Sequence, residues 1–230
     1  MTKSNKKNID NIIPEQTPEI QKPEVDPNPL CVIESFISSL GSDNLPIFGG
    51  TYVGGIHIQQ VPYELASCVK YLLDCGKTIN SYLEIGVTAG GTTYIINNYF
   101  HPANIILIDD NQHPKSRLRA GILSNVPTKQ FIGISQNQTI IDSISALDLK
   151  FDLIFIDGNH YYANVMADIN NYTPFLSIGG FVCFHDTAFA GLGVDDAIKE
   201  LSKNTDFTFI NEWIASDGPY CGIALFRKDA

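Results

Sequence analysis

The chain has 230 residues, is 44% hydrophobic and 17% charged, and carries a formal net charge of -10. This is enough apolar material for one full core plus an extension. The first 28 residues set four lysines (Lys3, Lys6, Lys7, Lys22) against five acids, so the acidity belongs to positions 29–230. A surface of that sign repels a phosphate backbone and argues against a nucleic-acid partner. The nearest thing to a basic patch, Lys115, Arg117 and Arg119, reads as a solvated helix face.

Five scattered cysteines, Cys31, Cys68, Cys75, Cys183 and Cys221, are odd in number and form no CxxC, so neither a zinc framework nor a disulfide framework is indicated. The N-terminus lacks the apolar core of a secretion signal, and no segment approaches the roughly 20 apolar residues that span a bilayer. The expectation is a soluble, cytoplasmic protein with no membrane partner.

Residues 1–28, with Pro14, Pro18, Pro23 and Pro27 among many polar residues, have the composition of a disordered arm, and 29–230 read as one domain. CVIESFISSL from Cys31 and VPYELASCVKYLLDC from Val61 show apolar residues at helical spacing, the second with Pro62 at a helix start. Between them IFGGTYVGG (47–55) reads either as a mobile loop over a site or as a plain connector.

Short apolar runs then alternate with amphipathic stretches: SYLEIG, NIILID, KQFIGI, FDLIFID and GGFVCFHD are separated by TTYIINNYF, QTIIDSISAL and YANVMADINNYTPFL. Runs so continuous in apolar residues fit strands buried on both faces, hence a parallel sheet covered by helices in a doubly wound α/β fold. VDDAIKELSK reads as a further helix, and DFTFIN and CGIALF as closing strands.

The first strand leads into a glycine turn within residues 80–93, NSYLEIGVTAGGTT. In this topology ligands sit at the carboxyl ends of strands, and glycines there let backbone approach them. The spacing Glu84-x-Gly86-x-x-x-Gly90-Gly91 is not the GxGxxG of a dinucleotide site, which disfavours a nicotinamide oxidoreductase. NIILID ends in Asp109, 23 positions after Gly86, about where an acid takes ribose hydroxyls; Asp110 reads as opening the next loop. Turn chemistry is the other account of either acid.

With IDGNHYYANVMADI from Ile156 and GGFVCFHDT from Gly179, the sequence resembles class I S-adenosylmethionine-dependent methyltransferases, in the branch with IDGxH and GGxxxFHD motifs related to small-molecule and sugar O-methyltransferases. The resemblance runs from about Gly55 to the C-terminus. It implies a Rossmann-like seven-stranded sheet with the last strand antiparallel, preceded here by a helical extension. S-adenosylmethionine would lie over the Gly86–Gly91 turn, against Glu84, Gly86 and Gly90, with its ribose on Asp109. Ser135 would meet the adenine edge, or serve only as a helix cap.

Asp157 and His160 follow the fourth strand, and His185 and Asp186 close the fifth, so all four converge if those strands are neighbours. Methyl transfer to oxygen needs in-line positioning and removal of a proton. His160 is the candidate base, with a structural hydrogen bond as its alternative role. Asp157 and Asp186 can take a divalent cation such as Mg²⁺. Metal-dependent relatives place a further acid where this chain has His185, which also reads as a core histidine. Asp168 reads as an exposed helix residue or ion-pair partner, Tyr161 and Tyr162 as lying near the mouth, and Trp213 as acceptor lining or core. The leading expectation is O-methylation of a small hydroxylated acceptor; the alternative is a non-catalytic binding module with the same fold.

Overall fold

A computed structural model describes residues 30–41, 55–189, 191–216 and 221–230. The 1–28 arm and all of the 47–55 segment except Gly55 lie outside these. The elements run α1 (Leu30–Ser39), α2 (Pro62–Asp74), β1 (Ser81–Ile85), α3 (Gly91–Phe100), β2 (Asn104–Asp109), α4 (Arg119–Ile122), β3 (Lys129–Ile132), α5 (Gln138–Ser145), β4 (Phe151–Ile156), α6 (Tyr162–Tyr172), β5 (Leu176–His185), α7 (Val194–Leu201), β6 (Phe207–Trp213) and β7 (Ile223–Lys228). Among the described residues no helix is long and apolar enough to cross a membrane.

The seven strands form one sheet in the order β3-β2-β1-β4-β5-β7-β6. β1 to β5 pair in parallel, while β7 enters antiparallel between β5 and β6. The expected seven-stranded, Rossmann-like sheet with its last strand antiparallel is what the chain forms. Strand order reverses between β1 and β4, and that is where a doubly wound sheet leaves a crevice at its carboxyl edge.

Alternation along the strands sorts the core into two layers. Tyr82, Ile105, Leu107, Leu153, Phe155 and Leu225 face the α1–α2–α3 layer, where they meet Ile33, Leu65 and Ile95. Leu83, Ile85, Ile106, Ile154, Val182 and Phe184 face the opposite layer, meeting Ile144 of α5, Ile169 of α6 and Ile198 of α7. Because β1, β4 and most of β5 are sealed on both faces, their continuous apolar runs are explained. β3 departs from that reading: it is the sheet's edge, and Lys129, Gln130 and Ile132 are exposed. Its run KQFIGI looks like a central strand, but only Phe131 packs toward the core.

Candidate active site

The turn after β1 is shaped by steric necessity. Gly86 has φ +79°, and a Cβ there would stand 2.0 Å from the Asp157 carbonyl oxygen, so the close approach of the β1 and β4 ends requires glycine. Asp157 N–H donates to Ile85 O at 2.8 Å, locking those ends together. Thr88 follows at φ +50°, and Gly90, at φ +90°, caps α3 where a Cβ would meet Leu123 of the same layer.

Asp109 holds this turn from inside. Its Oδ2 accepts the Val87 and Thr88 amides at 2.7 and 2.8 Å. Its Oδ1 accepts Asn111 N–H at 2.7 Å and lies 2.8 Å from Arg119 Nη2. Burial works against the charge, but Arg119 and the two turn amides outweigh it and hold the Asp109 carboxyl below the usual range. Arg119 is therefore not part of a solvated basic face. It is buried, and its Nε and Nη1 reach Thr88 O at 2.9 Å and Asn111 Oδ1 at 3.0 Å.

A cleft of about 450 Å³ opens over the turn, bounded by Gly86, Thr88, Asp109 and Asp110 on one side and by Ser135, Gln136, Asp157 and Asn159 on the other. Asp110 is exposed, whereas Asp109 is buried to 8%. Ser135 lies on the cleft wall and donates to Asp168 Oδ1 at 2.7 Å, an oxygen that Gln136 Nε2 also reaches at 2.7 Å. Asp168 is thus fully buried rather than an exposed helix residue, and its Oδ2 has no hydrogen-bond partner. Helical spacing from His160 points it not outward but beneath the Ser135 loop. Burial raises its pKa to about 6 despite the Ser135 and Gln136 hydrogen bonds.

Glu84 lies outside this cleft. It is 1% exposed and shares a small cavity of about 10 Å³ with Gln60, Thr92 and Asp157. Tyr82 Oη donates to it at 2.8 Å and Thr93 Oγ1 also bonds it. Burial pushes its carboxyl up to about 8, so it is mostly protonated at neutral pH.

Four side chains meet beside the cleft, at the ends of β4 and β5. Asp157 Oδ1 lies 3.3 Å from His160 Nε2 and 3.0 Å from His185 Nδ1, while its Oδ2 accepts Gln60 Nε2 at 2.7 Å. His160 Nδ1 lies 3.2 Å from Asp186 Oδ2, so this imidazole bridges the two carboxylates. Asp186 is held at φ +59°, a left-handed conformation uncommon for a side-chain-bearing residue and frequent at functional sites. Burial opposes charge on Asp157, His160 and His185. Even so, the histidines hold Asp157 below the carboxylate range, and the carboxylates hold His160 and His185 above the imidazole range.

Gln60 is the residue a motif reading misses: it also accepts Thr92 Oγ1 at 2.6 Å, tying the segment before α2 to α3 and to Asp157. The signal for it is a polar residue, 3% exposed, immediately before the apolar start of α2. Tyr161 and Tyr162 are exposed beside the cluster, and Trp213 packs on Tyr71 of α2 at 5.9 Å.

Residues 83–187, which supply the turn, the cleft walls and the four-residue cluster, match the model of a methyltransferase domain. That match spans 105 of the 230 residues and marks this segment as similar to a methyltransferase domain. An uncharacterized protein, R132, of Acanthamoeba polyphaga mimivirus is 29% identical over 114 residues, 46% of this chain and 51% of that protein. The chain thus spans about half the length of that curated relative. Among solved structures, the domain resembles the O-methyltransferase TomG from Streptomyces achromogenes, involved in tomaymycin synthesis and solved with S-adenosylmethionine. TM-score is 0.59 and identity 16%, covering 87% of this chain and 96% of TomG. The N-methyltransferase NodS from Bradyrhizobium japonicum, solved with S-adenosylhomocysteine, gives TM-score 0.55 at 19% identity over 71% of this chain and 85% of NodS. At these identities the likeness is one of fold.

Proposed function

We propose that the domain transfers a methyl group from S-adenosylmethionine to a hydroxyl of a small molecule, with His160 as general base. One observation carries the reading: the cleft over the Gly86 turn and the His160 cluster share the sheet edge where strand order reverses, with Asp157 on both. A cleft of about 450 Å³ suits a nucleoside-sized ligand, and it is lined by Gly86, where a Cβ would collide with the Asp157 carbonyl. The O- and N-methyl transfer performed by proteins of this fold supports the same class of chemistry.

When bound, S-adenosylmethionine supplies an electrophilic methyl group on a sulfonium. The chain's task is then to place an acceptor oxygen in line with it and take the hydroxyl proton. With its Nε2–H donated to Asp157, His160 presents Nδ1 as the basic nitrogen, and the acceptor hydroxyl takes the place of Asp186 Oδ2 against it. The proton moves from hydroxyl to Nδ1, where the adjacent Asp186 carboxylate stabilises the imidazolium. Asp157 fixes the ring, and Gln60 fixes Asp157.

A hard cation between Asp157 and Asp186 suits these residues less well. Mg²⁺ asks for about six oxygen ligands. The Asp157 oxygens already meet Gln60, His160 and His185, and the His160 ring fills the space between the two carboxylates.

Calorimetry with S-adenosylmethionine, S-adenosylhomocysteine and NAD tests the cofactor assignment: both sulfur nucleosides bind and NAD does not. Absence of binding by folded protein removes it. A screen of hydroxylated acceptors with labelled methyl donor then separates the enzyme from a non-catalytic module.

A further inference from the structure

His185 is used by the methyl-transfer reading only through its contact with Asp157, yet its surroundings point to a second role. Its Nδ1 faces Asp157 Oδ1 at 3.0 Å. Its other ring nitrogen, Nε2, is buried in a side chain only 4% exposed and has no oxygen or nitrogen partner. Cys221, a free thiol, lies beside the ring, and ligand atoms of His185, Asp186 and Cys221 all fall within 4.8 Å of one another. The backbone holds them there. His185 pairs with Ile223 across β5 and β7, and Ala188 N–H donates to Cys221 O at 2.8 Å.

From this geometry we infer a binding site for a thiophilic divalent cation of the Zn²⁺ type, held by Cys221 Sγ, His185 Nε2 and Asp186 Oδ. A carboxylate that accepts the Nδ1–H of a ligating histidine fixes its tautomer and bares Nε2, and Asp157 stands in that position. Thiolate, imidazole and carboxylate suit Zn²⁺ or Co²⁺, unlike the all-oxygen set Mg²⁺ requires. With Zn–S and Zn–N bonds of about 2.3 and 2.1 Å, tetrahedral ligands stand roughly 3.3–3.8 Å apart, so a small side-chain adjustment closes the set. Three protein ligands leave a fourth position for water or another ligand. Binding exchanges protons for metal: the Cys221 thiol proton passes to solvent, as does any proton on Nε2, with no change in oxidation state.

The test uses the full-length chain freed of metal by chelation and titrated with Co²⁺, whose bond to thiolate gives charge-transfer absorption in the near ultraviolet. The expected result is that band, its displacement by Zn²⁺, and release of protons on binding. Cys221→Ser abolishes the band and weakens Zn²⁺ at least about tenfold, while His185→Gln weakens it similarly. Asp157→Asn, acting through His185, lowers affinity about 10- to 100-fold. Near-ultraviolet dichroism of each variant without metal verifies its fold. Folded wild-type protein that takes Co²⁺ without the band, or takes none, overturns the site, as does unchanged Zn²⁺ affinity in folded Cys221→Ser. None of these readouts uses the methyl donor, so failure here leaves the methyl-transfer reading standing.

Discussion

Asp109 Oδ1 stands 2.8 Å from Arg119 Nη2, with side-chain exposures of 7% and 3%. Arg119 and three backbone N–H groups together engage both oxygens of the Asp109 carboxylate. Asp110, exposed on the same cleft, keeps acceptors for a ligand's hydroxyls. Arg119→Ala strands a buried charge and is expected to cost about 3–5 kcal/mol of stability, measured by urea unfolding, with cofactor affinity falling as the turn loosens. Asp110→Ala should leave stability unchanged and lower cofactor affinity about tenfold, the scale of a hydrogen bond to a charged group. Calorimetry on both variants separates turn-holding from ligand contact.

Asp168 gives a pH signature. Its folded pKa is about 6, above the roughly 3.9 of an unfolded aspartate. The folded state therefore binds more protons in that interval, and stability falls as pH rises from about 4 to 6. Asp168→Asn retains an acceptor for Ser135 and Gln136 but has no charge to bury. It should flatten that slope and raise stability at neutral pH by on the order of 2 kcal/mol. Unfolding midpoints at a series of pH values read both effects; an unchanged slope removes Asp168 as its source.

His160 links rate and stability with opposite signs. Burial disfavours its charged ring, but Asp157 and Asp186 outweigh that and raise its pKa above the ordinary value of about 6.5. As base it works when neutral, so kcat should rise with pH through a midpoint above about 6.5. The ion-pair contribution runs the other way: it is fully present below the unfolded pKa and lost as pH rises through the folded one. His160→Gln should reduce turnover by about 10²–10⁴ and leave cofactor affinity within twofold. Full activity in this variant would require another base.

The strand ends that build the site are legible in the sequence because their chemistry is local. A glycine turn, an acid after an apolar run, and paired Asp–His motifs each report a strand meeting the same sheet edge. What escapes is whatever depends on packing between distant elements. Arg119 sits among basic neighbours in the chain, yet folding carries it beneath the Gly86 turn. Asp168 has ordinary helix spacing, and only the Ser135 loop lying over α6 makes it a buried acceptor. Gln60 falls within the stretch of resemblance but far from the IDGxH and GGxxxFHD motifs, and its hydrogen bond to Asp157 spans 97 positions. Glu84 shows the converse: its place in the turn motif is plain, but alternation along β1 aims it at the Tyr82 layer rather than at the large cleft.

Glu64 on α2 extends this argument to the loop that carries Cys221. It is fully buried, and its two oxygens accept Ala215 N–H at 2.9 Å and Gly222 N–H at 3.0 Å, on either side of the β6–β7 connection. Burial raises its pKa, while the two amides draw it back part of the way. Glu64→Gln keeps one acceptor but sets an NH₂ donor against the other amide, leaving a buried N–H unsatisfied at about 1–3 kcal/mol. A midpoint lowered by about 2–4 °C per kcal/mol is expected for a domain of this size. The connection should also loosen at one end, so hydrogen exchange in the described residues 215–216 and 221–222 should quicken while that of β1 and β4 stays as it was. Uniform acceleration across the sheet would mean that Glu64 supports the whole core and not this loop.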